Sequence, residues 1–517
     1  MTALLAALPI LLVLVLMVGV GWPASRAGAA GAGLALGIAI VGFGFGSEVL
    51  PEVGLAGGLA GVVAEATFTS VTILWIILPA LAIYHLQVGS GATDVLRVAL
   101  GRLSGDPRVL ALLIGWFFAL FIEGGAGFGS SVALAAPFLV GVGYRPLEAV
   151  VIAMIGHSVG VSFGAIGTPI VPMAAASGID PAELAPASAV YHAAFGWFPL
   201  AVMVVLASRS TGTRPTGAIW GWAALAGAAF LGPMLLIAQF VGPELPTLGG
   251  ALIGGAVFVG ALVLANRRRA GQAVPLGTDA GAGIDLEEEP TAAGLVLAAA
   301  PYLVLIALVL VTRTVPAIAD PLGRVVWEWE LNGGFTGSFE PLTHPGTLLV
   351  ASFLVGAVIQ RVGVAAVRTA VTKTLRQLVP ITIALLAMLL LARLMVRSEM
   401  TAALAEAAAG SAGAVWPVLA PLVGVLGTFV TGSATASNVL FTDLQTATAA
   451  ELGLPAVPLL GAQNFGAAVG NPIAPHNIVA GGATVGLVGA EGDVMRRTLG
   501  VTLVYALLGG LLALALV

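Results

Sequence analysis

Long apolar stretches with very few charges recur from one end of this chain to the other. A helix crossing the hydrocarbon core needs about 20 such residues. The stretches fall at 2–21, 27–46, 54–88, 109–123, 128–143, 147–169, 187–208, 217–241, 248–265, 293–313, 346–360, 379–396, 415–431, 434–450, 456–475 and 498–517. Lys and Arg number 20 and Asp and Glu 25 among 517 residues, against roughly 130 charges in a soluble protein of this length. So few charges cannot cover a soluble core of this size, which excludes soluble, disordered, collagen-like and coiled-coil folds. The apolar runs are unbroken rather than alternating, unlike those of an outer-membrane barrel. The expected fold class is an all-α polytopic membrane protein with about 12 full transmembrane helices and two re-entrant or broken-helix hairpin regions. The run at 54–88 is too long for one simple span. The first run lacks a basic segment ahead of it and exceeds the apolar part of a signal peptide, so it reads as a retained helix.

Other counts narrow the chemistry. There is no Cys, which removes disulfides, thiolate ligands and a thiol nucleophile. Five His (His85, His157, His192, His344 and His476) are scattered without an HExxH pattern, so no metal site and no cofactor are expected. A net charge of −5 spread over loops offers no basic face for nucleic acid. Without a clustered nucleophile or paired carboxylates, a membrane-embedded enzyme is disfavoured. Seventy Gly point to close helix packing, broken helices, or both.

Basic residues in short loops orient the spans. Arg26, then Arg97, Arg102 and Arg108, then Arg209 and Arg214, then Arg267, Arg268 and Arg269 are expected in the cytoplasm. So are Arg361, Arg368, Lys373 and Arg376, and finally Arg496 and Arg497. The intervening loops carry Glu48, Glu52, Asp180, Glu183, Glu244, Glu328, Glu330 and Glu340 and should face outward. Both termini are then extracytoplasmic. The organisation is a first membrane half at 1–265, a cytoplasmic linker at 266–292 and a second half at 293–517. Residues 314–345, with Trp327 and Trp329, form an outer interfacial segment.

A repeat emerges within this frame. Residues 123–169 and 431–477 each open on a Gly/Ser/Thr cluster and continue as a short apolar segment, a turn and a second apolar helix. His157-Ser158-Val159-Gly160 matches Gln463-Asn464-Phe465-Gly466, Gly164 matches Gly470, and Thr168-Pro169 resembles Asn471-Pro472. The charges place the blocks in opposite directions through the membrane. Inverted repeats with broken helices meeting at midplane belong to secondary transporters. Backbone broken inside lipid is tolerated only where it lines a cavity or is buried in protein, and helix N-termini there suit an anion.

At these residues the chain resembles the lactate permease family, the lactate and glycolate permeases of prokaryotes. The similarity runs through Phe121-Ile-Glu-Gly-Gly-Ala-Gly-Phe-Gly129, Phe163-Gly-Ala-Ile-Gly-Thr-Pro-Ile170, Gly242-Pro-Glu-Leu-Pro246, Thr431-Gly-Ser-Ala-Thr-Ala-Ser-Asn438 with Leu440, Phe441 and Gln445, and Gly486-Leu-Val-Gly489. The resemblance implies import of 2-hydroxy monocarboxylates with protons, in a fold related to the ion-transporter superfamily. The chain is a divergent member. The family usually has Asp where Ala434 stands and Lys where Asn471 stands. Asn is usual in place of His157, Gln in place of His476, and Ala-Pro in place of Ser130 and Ser131. Losing both charges of a pair is cheaper than losing one.

Candidate site residues follow from cost. Glu123 ends an apolar helix at the Gly-rich break; an intramembrane carboxylate is a functional hypothesis by default, and Glu123 is expected to couple protons. His157 can share that role or contact the substrate. Ser130, Ser131, Ser158, Ser433, Thr435, Ser437 and Asn438 offer hydroxyls and an amide to a carboxylate and a 2-hydroxyl; back-bonding to their own helices is the alternative. Gln463, Asn464, Asn471 and His476, with Asn477, form a second polar cluster that needs partners. His85, His192 and His344 read as peripheral, and Glu65 and Arg393 as structural or interfacial. The expected function is a secondary active transporter, in a prokaryotic cell membrane, of a small 2-hydroxy monocarboxylate such as lactate or glycolate. Its partners are the organic anion and the lipid bilayer. The coupling ion is the proton; a sodium-coupled or otherwise divergent organic-anion transporter is the alternative, and an anion channel a further one.

Overall fold

The computed structural model describes residues 2–95, 103–125, 127, 129–270 and 291–517. Arg97, Arg102 and most of the expected 266–292 linker lie outside the described residues. The helices run in order as α1 (Thr2–Leu14), α2 (Ala24–Phe43), α3 (Gly54–Gly89), α4 (Pro107–Gly125), α5 (Ser130–Gly141), α6 (Pro146–His157), α7 (Ile170–Ser177), α8 (Pro181–Phe195), α9 (Trp197–Ser210), α10 (Gly217–Phe240) and α11 (Pro246–Ala270). After the linker come α12 (Ala292–Thr314), α13 (Pro316–Gly323), strands β1 (Trp327–Leu331) and β2 (Phe335–Phe339), α14 (Pro345–Ile359), α15 (Val364–Arg397) and α16 (Met400–Ala412). The chain ends with α17 (Trp416–Thr431), α18 (Ala434–Leu452), α19 (Ala456–Val469), α20 (Pro475–Ala483) and α21 (Glu491–Leu516).

Among the described residues, eight helices are long and apolar enough to cross a membrane, or up to 10 if two bent pairs each count as one span. This is a multi-pass membrane architecture, in which further apolar helices such as α5 and α14 are shorter than those counted. Two segments take definite form. The run at 54–88 is one unbroken helix of 36 residues, about 54 Å long at 1.5 Å per residue and longer than the hydrocarbon core. The segment 314–345 contains an antiparallel β-hairpin, with Trp327 opposite Phe339 and Leu331 opposite Phe335. Phe335 is fully buried against Gly61 of α3, where any Cβ would overlap its ring.

Helix ends follow from their sequences. The Asp106 side chain accepts from the Arg108 N–H and Pro107 occupies the first turn of α4; Asp180 and Pro181 do the same for α8. Glycine permits the closest crossings. A Cβ at Gly424 would stand 2.5 Å from Ala467 N, and one at Gly466 2.5 Å from Pro421 Cα, so α17 and α19 touch backbone to backbone. Elsewhere α15 packs along α2 and α3, and α14 joins α3 to α12.

Two hairpins shape the centre. α4 runs inward to Gly125, turns through Gly127 and Gly129, and α5 returns so that the Tyr144 hydroxyl donates to Pro107 O at 2.9 Å. α17 turns at Gly432, and α18 returns beside it, with Trp416 Nε1 donating to Gln445 Oε1 at 2.9 Å. Their bases lie at opposite ends of α21. Arg497, in its first turns, reaches Glu148 beside the base of the first hairpin at 3.3 Å. The base of the second packs far along α21, where Gly510 lies against Val418.

Candidate functional site

Glu123 stands in the last turn of α4 and is 3% exposed. The chain can reverse just beyond it because Gly127 and Gly129 adopt left-handed backbone, with φ of 60° and 79°. The reversal brings Ser131 back to donate to Glu123 Oε2 at 2.8 Å. The other carboxylate oxygen faces Gly164, where a Cβ would sit 2.5 Å from it. Gly164 opens the break beyond α6, at which Ala165 and Ile166 are held at φ of 45° and 59°. Positive φ at a non-glycine such as Ile166 stores strain. The carboxyl therefore meets a discontinuity in the segment that follows α6.

α6 and α19 are each followed by a short 3-10 turn, and each helix meets the turn that follows the other. His157 Nε2 lies 2.9 Å from Asn471 Oδ1, and Ser162 donates to Asn464 O at 3.2 Å. Successive partners on one segment pair in reverse order on the other, so the two run antiparallel. Asn464 donates to Ser188 at 3.0 Å and accepts from Asn438 at 2.9 Å; Asn438 also donates to Pro169 O at 2.9 Å. Gln463 accepts from Gln445 at 3.0 Å and donates to Ser437 at 3.3 Å. These side chains are buried, and their mutual bonds offset the cost of removing amides from water. Asn438 Oδ1 is buried with no partner.

The second tip is built differently. The Ser433 hydroxyl caps α18 by accepting from Ala436 N at 3.3 Å. His476 packs against Gly432, where any Cβ would collide with its ring, and Asn477 Nδ2 donates to Gly432 O at 3.2 Å. α20 also reaches the first tip: a Cβ at Gly129 would stand 3.6 Å from Asn477 Oδ1. His476 borders a cavity of about 10 Å³, room for about one water molecule.

The candidates thus separate. By hydrogen bonds they form three sets, His157 with Asn471, Asn438 with Asn464, and Gln463 with Ser437; Glu123 and Ser131 pair at the first tip. Ser130 donates to Gly127 O at 2.6 Å, Ser158 to Ile155 O at 2.7 Å and Ser437 to Gly424 O at 2.9 Å, so these hydroxyls are occupied by backbone. Thr435 is half-buried on α18. Ala434 lies in a small apolar cluster with Val161, Ala467 and Ala468, a setting that would leave a lone carboxylate unpaired. His192 is no peripheral residue. It is fully buried, 2.8 Å from Ser162 Oγ and 2.9 Å from Tyr505 Oη. Its spacing of four from Ser188, on one face of α8, was the signal for it. Glu65, also buried, is paired with Arg397 and accepts from Thr336 N at 3.2 Å. Among the described residues, no group of three or more His, Cys, Asp or Glu is placed to hold a metal ion.

The sequence matches the L-lactate permease family over residues 2–337 and 330–517. The chain belongs to the L-lactate permease family. Membership makes it a permease, a transporter rather than an enzyme. It is 31% identical over 405 residues to an L-lactate permease of Streptococcus iniae, covering 78% of this chain and 82% of that one. It is 29% identical to a glycolate permease of Escherichia coli, covering 86% and 84%. Among solved structures, this permease aligns with the Alcanivorax borkumensis YdaH transporter over 87% of its own length and 86% of the other, at 16% identity and a TM-score of 0.33, a likeness too distant to transfer a topology.

Proposed function

We propose that this permease moves a small 2-hydroxy monocarboxylate, such as lactate or glycolate, across the cell membrane by proton symport. The observation that carries the cargo is the near-full-length similarity to relatives named for those two acids. In this reading residues 1–265 and 293–517 are inverted halves and both termini face outward. The antiparallel pairing of residues 157–162 with 464–471, and the hairpin bases at opposite ends of α21, support the inversion of the halves.

Coupling is assigned to Glu123 and His157, both buried on the adjoining helices α4 and α6. His157 Nδ1 is 2.9 Å from Ala153 O, and Nε2 is 2.9 Å from Asn471 Oδ1. A neutral imidazole donates from one nitrogen only. With Nδ1–H serving Ala153, Nε2 accepts from the Asn471 amide nitrogen when neutral and donates to its oxygen when protonated. Each proton state fits one orientation of the Asn471 amide, on the segment that leads into α20. The substrate is assigned to the polar groups at the hairpins and the antiparallel pairing: Ser130, Ser131, His157, Ser158, Ser433, Thr435, Ser437, Asn438, Gln463, Asn464, Asn471 and His476. Asn438 Oδ1, an acceptor without a partner, suits the 2-hydroxyl.

The test is uptake of labelled lactate, glycolate, pyruvate and acetate into proteoliposomes under imposed gradients. Concentrative uptake driven by an inward proton gradient and abolished by a protonophore is expected. No uptake or competition by any of these acids overturns the cargo; drive by sodium alone overturns proton coupling; downhill flux alone indicates a channel. Glu123→Gln is expected to abolish concentrative uptake, and normal accumulation by that variant removes Glu123 from coupling.

A further inference from the structure

We infer that Arg393, held beside Glu65 and Arg397, is a carboxylate-docking residue separate from the central polar pairs. Three charged groups meet where α3 faces the end of α15. Glu65 is 2% exposed and engaged on both oxygens by Arg397, whose Nε is 3.1 Å from Oε2. Arg397 is further occupied by Gly334 O at 2.9 Å and by the Phe335 ring, 4.6 Å from its centroid. One carboxylate between two guanidinium groups leaves the cluster one unit positive, and the second cation is loosely held. Arg393 Nη1 stands 3.9 Å from Glu65 Oε2, beyond hydrogen-bond range, and Nη2 donates to Thr69 at 3.2 Å. A guanidinium has five donors in a planar fork, so Arg393 retains an edge for a carboxylate. Its side chain is 34% exposed.

The position fits an approach to the second tip. A groove of about 600 Å³ ends at Val396 and Arg397, with Glu48 and Glu399 on its walls. Farther along α15, Leu391 and Met395 line the cavity at His476. Arg393 lies on this same stretch of α15, one turn before Arg397. A guanidinium that shares its one close carboxylate with Arg397 is stabilised further by a second anionic partner. A small carboxylate supplies that partner in bidentate form. This inference rests on the cargo being a small carboxylate.

The experiment reads binding and transport separately. Purified full-length protein is titrated with lactate, acetate and the neutral analogue lactamide, and its melting temperature is followed; uptake KM and kcat are measured in proteoliposomes. The two acids are expected to stabilise the wild type and lactamide is not. Arg393→Gln is expected to weaken the apparent affinity and raise KM by about 10- to 100-fold, the worth of charge-assisted hydrogen bonds, with little change in the ligand-free melting temperature. Arg393→Lys keeps the charge without the fork and is expected to lose affinity severalfold; it decides the matter if Arg393→Gln fails to fold. Wild-type affinity in both variants, or a wild type stabilised by neither acid, overturns the inference. Binding of acetate and lactate that Arg393→Gln weakens, without lactate or glycolate uptake, supports the Arg393 site while overturning the cargo reading.

Discussion

Replacing Gly432 by Ala tests whether the second hairpin tip is seated on α20 as described. Two penalties arise. Gly432 has φ of 67°, a left-handed conformation that costs an alanine roughly 1–2 kcal/mol. Its Cβ would also collide with the His476 ring, and forcing an extra methyl into a packed site costs about 1–3 kcal/mol. The total is about 2–5 kcal/mol. Gly486 supplies the control: its φ is 73°, and nothing lies within 4 Å of the position its Cβ would take. Gly486→Ala should therefore incur only the conformational penalty. Equilibrium unfolding in mixed micelles measures both variants, and the difference should be about 1–3 kcal/mol. Shortening the opposing side chain in a Gly432→Ala/His476→Ala double variant should recover most of that difference, because contacting residues are non-additive. Equal losses at the two glycines, or no recovery in the double variant, would refute the packing of His476 on the tip.

Other consequences can be checked in the same preparation. Phe335→Ala empties a fully buried position under the β-hairpin and is expected to destabilise by about 3 kcal/mol; a loss below about 1 kcal/mol in chemical unfolding would show the hairpin is not docked. Asn464→Leu removes both the donor to Ser188 and the acceptor for Asn438, with an expected loss of about 1–3 kcal/mol and reduced uptake, measured by unfolding and proteoliposome flux. Burial first, and the nearby Asp106 charge second, push the Tyr144 phenol in the α5–α6 turn above its ordinary range. The folded state then holds that proton more tightly than the unfolded one, so its contribution to stability is full below about pH 10 and falls as pH rises. Tyr144→Phe should flatten that part of an alkaline unfolding profile; an unchanged slope would contradict it.

The positions of the two tips are legible in the sequence because reversing a helix in a crowded interior needs left-handed backbone, which Gly127, Gly129 and Gly432 supply. The polar residues around 463–477 are legible as a set because amides in apolar context demand partners. Their pairings are not, since His157 and Asn471 are 314 positions apart and a one-dimensional pattern carries no register between such segments. Arg397 was missed because an arginine ending an apolar helix normally reaches toward the interface; its partner Glu65 comes from a helix hundreds of residues earlier. The β-hairpin did leave a local signal: Trp-Glu-Trp-Glu-Leu alternation followed by Asn332-Gly333 is a strand and a turn. It is easily read as mere interfacial tryptophan. The length of α3 is legible too, because the apolar run at 54–88 nearly coincides with the helix Gly54–Gly89.

The nine-residue helix α20 touches Gly432 of one hairpin through His476 and Asn477, and faces Gly129 of the other through Asn477. Those hairpins start from opposite ends of α21. Lodged between the two turns, this one short helix ties their positions together, so a shift of His476 off Gly432 also moves Asn477 relative to Gly129.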